Sequence, residues 1–340
     1  MLIIMDGMGI GKADESNAVF MANTPHLDTL FKSDLYTQLK AHGMAVGLPS
    51  DDDMGNSEVG HNAIGAGRIF DQGARLVNKA LKSGAIFQTA VWENIAKRAQ
   101  RGGTVHFIGL LSDGNVHSHI EQLFIMIDKC AELNFRKVRI HPLLDGRDVG
   151  ERTALDYVVP TEEKLKKISG EKGFDYAIAS GGGRMKVTMD RYNSDWTIVK
   201  RGWDAHVRGE GRTFSSASEA VKTFYAEDSK ATDQYLPPFV ITDASGKPVG
   251  RIQDGDAVIF FNFRGDRAIE ISRAFSEKDF SEFDRGALPD IFYAGMMEYD
   301  GDAHIPHNFL VQPPAIDRVI SEYLCAEGVK TFAVSETQKF

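Results

Sequence analysis

The chain has 340 residues, 42% hydrophobic and 26% charged, enough for about two domains of roughly 150 residues with ordinary globular cores. Its formal charge of -9 argues against nucleic acid or an anionic membrane as a partner. No apolar run nears the roughly 18 residues of a membrane span, the opening "MLIIMDG" is too short for a signal peptide, and two distant cysteines, Cys130 and Cys325, point to a reducing compartment, the cytoplasm.

The first element is "LIIMD" (2–6), read as a buried strand ending on Asp6. Ligands of open α/β sheets gather beyond the carboxyl ends of strands. Asp6 is therefore placed to hold a hard or borderline divalent cation, and equally to act as a turn acid or a helix cap. The following "DGMGIGKA" is not a P-loop. Ala13 after Gly11-Lys12 has no hydroxyl, and Asp6 stands where the motif needs its first glycine. The dinucleotide pattern G-x-G-x-x-G fails as well, with Lys12, Asp14 or Phe70 in the third glycine's place. Next comes "DMGNSEVGHNAIGAG" (53–67), with Ser57 ahead of a helical pattern. A serine there is either an N-cap or a phosphoryl acceptor, favoured by the free N–H groups and the dipole of the helix start.

Beyond residue 100 the chain alternates apolar strands with amphipathic stretches. The strands are 105–111, 137–144, 175–180, 257–263, 291–296 and 331–335, and the amphipathic stretches include 119–133 and 190–207. Most of these strands are apolar throughout, as strands covered on both faces should be. The pattern predicts an α/β fold with mainly parallel sheets. The stretch 231–250 predicts an excursion with a hairpin, and Pro313-Pro314 and the region near 71–77 predict linkers. Polar loops follow four strands: "LLSDGNVHSH", "LLDGRD", "ASGGGRMKVTMDR" and "FFNFRGDR". They bring Arg147, Arg184, Arg191, Arg264 and Arg267 to strand ends of an acidic protein. Guanidinium groups grip carboxylate and phosphate in bidentate fashion, so the set predicts a pocket for a small anion. The pair His117 and His119 is open to a metal, proton-shuttle or plain loop role.

The motifs "MDGMGIG", "DMGNSEVGHNAIGAGR", "IGLLSDGNVHSH", "LLDGRDV", "SGGGRMKVTMDR", "FNFRGDR" and "SETQKF" occur in that order over essentially the whole chain. This arrangement resembles the cofactor-independent phosphoglycerate mutases of the alkaline phosphatase superfamily. The resemblance implies an alkaline-phosphatase-like domain, incomplete here, with an inserted α/β phosphotransferase domain. The expected segments are 1–72, 73–313 and 314–340. It implies interconversion of 3-phosphoglycerate and 2-phosphoglycerate by a cytoplasmic monomer. Two divalent ions are expected, manganese first, with magnesium or cobalt as alternatives, and no 2,3-bisphosphoglycerate. Carried over by position, Ser57 resembles the serine that is transiently phosphorylated, and Asp6 and Ser57 resemble ligands of one metal. His117, Arg147, Asp148, Arg184, Arg191, Arg264, Arg267 and Lys339 resemble the substrate-binding set. Asp148 would act as general acid/base. In that family further Asp and His ligands follow the "SETQKF" motif, so the expectation is an N-terminal two-thirds without turnover of its own. The alternative is a non-catalytic phosphoglycerate-binding fragment.

Overall fold

The computed structural model describes residues 1–334. Packing divides the chain into two compact units, one of residues 71–315 and one of residues 1–70 together with residues from Ile316 onward.

In chain order the helices are α1 (Ala18–Met21), α2 (Pro25–Leu30), α3 (Ser57–Ala66), α4 (Gly73–Ser83), α5 (Ala90–Gln100), α6 (Ile120–Glu132), α7 (Ala154–Lys172), α8 (Trp196–Trp203), α9 (Ala217–Glu227), α10 (Ile269–Ser276) and α11 (Ile320–Ala326). The strands are β1 (Val105–Leu111), β2 (Lys137–Leu144), β3 (Asp175–Ile178), β4 (Ser180–Gly183), β5 (Arg212–Phe214), β6 (Phe239–Ile241), β7 (Ala257–Phe260) and β8 (Phe292–Gly295).

Among the described residues all eight strands lie in the larger unit and form one sheet of order β5-β6-β4-β2-β1-β7-β8, with β3 also paired to β2. The pairs among β1, β2, β3, β4, β7 and β8 are parallel, and β6 runs antiparallel to β4. The expected strand 175–180 is broken in two. Ile178 pairs with Ile140 whereas Gly182 pairs with Leu143, so one extra residue bulges the strand as it nears its end. Every residue of β1 is buried because helices cover both faces. Val105, Phe107 and Leu111 join one core while Ile108 and Leu110 join the other, the alternation a strand imposes. Successive βαβ connections run from β1 through β2 to β3, and the chain later returns to β7 on the other side of β1. The carboxyl ends flanking β1 thus form a switch point, the usual place for a ligand in such sheets.

Several expectations are corrected. The stretch 71–77 is not a linker, since α4 begins at Gly73. The hairpin expected within 231–250 is present: the chain turns back after β6 through an antiparallel bridge between Thr242 and Pro248, flanked by the Val249 N–H to Ile241 carbonyl bond at 3.0 Å. The runs 2–6 and 331–334 form no strand, and Leu2 and Phe332 are 73% and 93% exposed. Apolar runs become strands only beside hydrogen-bonded neighbours, and the described residues of this unit offer neither run a partner. No helix among the described residues is long and apolar enough to cross a membrane.

Candidate functional site

In the smaller unit the side chain of Asn56 accepts hydrogen bonds from the N–H groups of Glu58 and Val59. Asn56 therefore caps α3, and Ser57 is the first helical residue rather than the cap. Freed from capping, the Ser57 hydroxyl donates to Asp6 Oδ2 at 2.5 Å. His61, one turn on, has Nδ1 2.8 Å from the Ser57 carbonyl oxygen. A carbonyl only accepts, so Nδ1 carries a hydrogen and cannot take the hydroxyl proton, although it lies 3.4 Å from Oγ. Asp6 is the acceptor that the hydroxyl uses. The carboxylate and the hydroxyl together are hard oxygen donors of the kind that bind magnesium or manganese. Among the described residues no group of three or more His, Cys, Asp or Glu side chains could hold a metal ion. The pair supplies two such oxygens within hydrogen-bonding distance of each other.

In the larger unit the loops after β1, β2, β4 and β7 carry the anticipated residues to one edge of the sheet. Arg184, at 2% exposure the most enclosed of the arginines, donates from Nη1 to Asp145 Oδ1 at 2.8 Å and to Asp148 Oδ2 at 2.5 Å. Its Nη2 donates to His117 Nε2 at 2.7 Å. Burial pushes the His117 pKa well down, and Arg184, Arg264, Arg267 and Arg191 push it further. His117 is thus a neutral acceptor on Nε2, and its Nδ1–H lies 3.7 Å from Asp266 Oδ1. Asp266 also meets Arg264 Nε at 3.3 Å and Arg191 Nη1 at 3.4 Å. Arg267 is buried and donates to the Met189 carbonyl at 2.6 Å. Its pKa is pushed down to about 10 by burial and by Arg191 and Arg184. Arg147 is exposed, while its backbone N–H donates to Asp145 Oδ1 at 3.2 Å.

This set holds five guanidinium groups against the carboxylates of Asp145, Asp148 and Asp266, an excess of positive charge. Two of its buried donors, His117 Nδ1–H and Arg184 Nε–H, have no hydrogen-bond partner. Buried polar groups are nearly always satisfied, so the arrangement suits an added polar anion.

The histidines of "NVHSH" part company. His117 enters the arginine cluster, whereas His119 caps α6 by accepting from the Glu121 N–H at 3.2 Å. Lys339 lies outside the described residues. The sequence reading missed Asp145 and Asp266, which organise the cluster. The available signal was the acid inside each arginine motif, "DGRD" and "RGDR", since packed guanidinium groups need counter-charges. His61 was also missed, four residues after Ser57 and so on the same helical face.

Residues 77–301 match the family model for the BPG-independent PGAM N-terminus. The chain is 55% identical over its whole length to a probable 2,3-bisphosphoglycerate-independent phosphoglycerate mutase of Leptospira interrogans, covering 62% of it. It is 54% identical to the 2,3-bisphosphoglycerate-independent phosphoglycerate mutase of Trypanosoma brucei brucei, again over its whole length and 62% of the relative. The chain thus spans about three-fifths of the length of these relatives. A crystal structure of Leishmania mexicana phosphoglycerate mutase at low cobalt concentration matches with a TM-score of 0.92 and 52% identity, over 96% of this chain and 59% of that one.

Proposed function

This chain belongs to the BPG-independent phosphoglycerate mutase family, and we propose that it carries the phosphoryl acceptor and the substrate pocket for interconverting 3-phosphoglycerate and 2-phosphoglycerate. The observation that carries this reading is the cluster of arginines around two buried donors, His117 Nδ1–H and Arg184 Nε–H, without hydrogen-bond partners.

In this reading Arg191, Arg264 and Arg267 take the anionic groups of phosphoglycerate by charge-assisted hydrogen bonds. Arg147 reaches the same anion from the exposed rim, and Lys339 joins the set. His117, kept neutral, offers its Nδ1–H to a substrate oxygen. Asp148 moves the proton of the glycerate hydroxyl. Ser57 Oγ attacks phosphorus; the bond to the glycerate oxygen breaks, and that oxygen takes a proton. Glycerate stays on the arginines, turns, and attacks the phosphoserine through its other hydroxyl, so no 2,3-bisphosphoglycerate is needed. Asp6 accepts the serine proton, and Asp6 and Ser57 are the residues that would hold a divalent ion. A bound ion such as manganese would lower the serine pKa and neutralise charge on the phosphoryl oxygens. We read residues 1–70 and those from 316 on as part of an alkaline-phosphatase-like metal domain, and the protein as a cytoplasmic monomer, in keeping with two free thiols.

The incomplete ligand set among the described residues favours a second reading, a phosphoglycerate-binding module without turnover. The test uses the 340-residue chain and the longest open reading frame that contains it, each given 3-phosphoglycerate and manganese. Formation of 2-phosphoglycerate, with phosphate on Ser57 detected by mass spectrometry and both lost in Ser57→Ala, is the expected outcome for the longer form. Binding without turnover in both forms supports the module. Unchanged turnover in Ser57→Ala overturns the assignment of the acceptor.

A further inference from the structure

Six buried residues outside the arginine cluster form one unbroken hydrogen-bonded chain through the larger unit. His106 on β1 and His141 on β2 are fully buried and sit on the same face of the sheet as Ile108 and Leu143. His106 Nε2 lies 3.1 Å from Asp256 Oδ2, and its Nδ1 lies 2.9 Å from His141 Nε2. His141 Nδ1 meets Ser180 Oγ of β4 at 2.7 Å. Ser180 Oγ meets His206 Nδ1 at 2.8 Å, and His206 Nε2 meets Thr188 Oγ1 at 3.0 Å.

One assignment of hydrogens follows from the end of the chain. An ionised Asp256 only accepts, so His106 carries its hydrogen on Nε2 and accepts on Nδ1. His141 must then donate from Nε2 and accept on Nδ1 from the Ser180 hydroxyl. Ser180 accepts from His206 Nδ1–H, and His206 Nε2 accepts from the Thr188 hydroxyl. Every donor points toward Asp256, and every member is satisfied. Burial holds all three histidine pKa values below the ordinary range, with that of His206 at about 3, which keeps each ring neutral as the assignment needs. Asp256 stays ionised: burial pushes its pKa up, but hydrogen bonds from His106, Thr104 and Gln253 leave it below its usual value.

The other end explains an anomaly. Thr188 has φ +70°, in the left-handed region where a β-branched residue is an outlier. The Met189 N–H bonds the Val187 carbonyl at 2.8 Å across it, closing the tight three-residue turn that is rare and strained at this φ. Such strain persists only where the surroundings enforce it. Here His206 takes the hydroxyl, and Gly202 makes room for it, since a Cβ on Gly202 would stand 2.0 Å from Thr188 Oγ1. This turn lies between Arg184 and Arg191, and the next carbonyl, that of Met189, receives Arg267.

We propose that the chain from Asp256 through His106, His141, Ser180 and His206 to Thr188 is a positioning device that locks the 184–191 turn and so sets three arginines of the anion pocket. None of the six touches the anion. The role of the pocket rests on the proposed function, whereas the lock itself does not.

The test therefore has two arms. Two-bond nitrogen–proton correlation spectra of the unliganded chain read the tautomers, expected as Nε2–H on His106 and His141 and Nδ1–H on His206. Thr188→Val keeps the branching and deletes the hydroxyl; amide exchange at Met189 and Asp190 should then quicken about tenfold. Ser180→Ala, a strand away, should do the same. Thr188→Ser, which keeps the hydroxyl, should stay within about twofold of wild type. Because both deletions break one chain, the double variant should add little to either single one. Calorimetry with 3-phosphoglycerate forms the second arm, where Thr188→Val should lose about tenfold in affinity and Thr188→Ser should recover it. Absence of binding by wild type would count against the phosphoglycerate reading and leave the first arm to judge the lock. Opposite tautomers, or unchanged turn exchange in both deletion variants, would overturn the proposal.

Discussion

Replacing Arg184 by Met removes the charge at the centre of the arginine cluster while keeping much of its apolar stem. Three contacts vanish, to Asp145 at 2.8 Å, Asp148 at 2.5 Å and His117 at 2.7 Å. The carboxylates left behind have side chains only 1% and 12% exposed. Breaking a buried pair from one side costs about 3–5 kcal/mol, because the remaining charge is uncompensated. Asp145 keeps the Ser112 hydroxyl and the N–H groups of Arg147 and Asp148, so the low end, about 3 kcal/mol, is expected. In a unit the size of residues 71–315 that corresponds to a fall in Tm of about 6–12 °C. Differential scanning calorimetry and urea titration measure it. Adding Asp145→Asn should recover part of the loss, since it removes the stranded charge. A loss under about 1 kcal/mol, the range of exposed pairs, would refute the claim that Arg184 holds these carboxylates together.

Two further outcomes are expected. Glu270 lies in α10 beside Asp190, and burial first and then Asp190 push its pKa up from 4.5 to about 7, against the Asn193 N–H, which lowers it. Because the folded state favours the protonated acid, this stabilising contribution is complete below the unfolded pKa and is lost as pH rises through about 7. The difference reaches up to about 3 kcal/mol at pH 8. Glu270→Gln keeps the acceptor for Asn193 and should abolish that slope; denaturation midpoints of the two proteins that stay parallel from pH 5 to 8 would contradict it. For the metal, Asp6→Ala should weaken manganese binding, read by electron paramagnetic resonance, by about tenfold or more. Chelation should also stop any mutase turnover, and equal manganese affinity in Asp6→Ala would remove Asp6 from the ligand set.

The sequence by itself determined the chemistry that could be present and the layers of the larger unit. The mainly apolar runs at 105–111 and 257–260 favoured strands covered on both faces, because there the apolar side chains on either side are buried. The motifs put arginines beyond those strands, where side chains of a parallel sheet converge. What the sequence could not decide was pairing across distance. The chain does not say that Asp145 and Asp148 would share Arg184, that Asn56 rather than Ser57 would cap α3, or that His117 and His119 would separate. It misled at 2–6 and 331–334, since an apolar run becomes a strand only beside a partner strand. The Asp256-to-Thr188 chain lies furthest from local legibility. His106, His141 and His206 are 35 and 65 residues apart and read singly as ordinary interior histidines. Only the parallel pairing of β1 with β2, and the bulge that delivers Ser180 beside them, brings their ring nitrogens within hydrogen-bonding distance, because register fixes which face each side chain occupies and no local propensity carries that information.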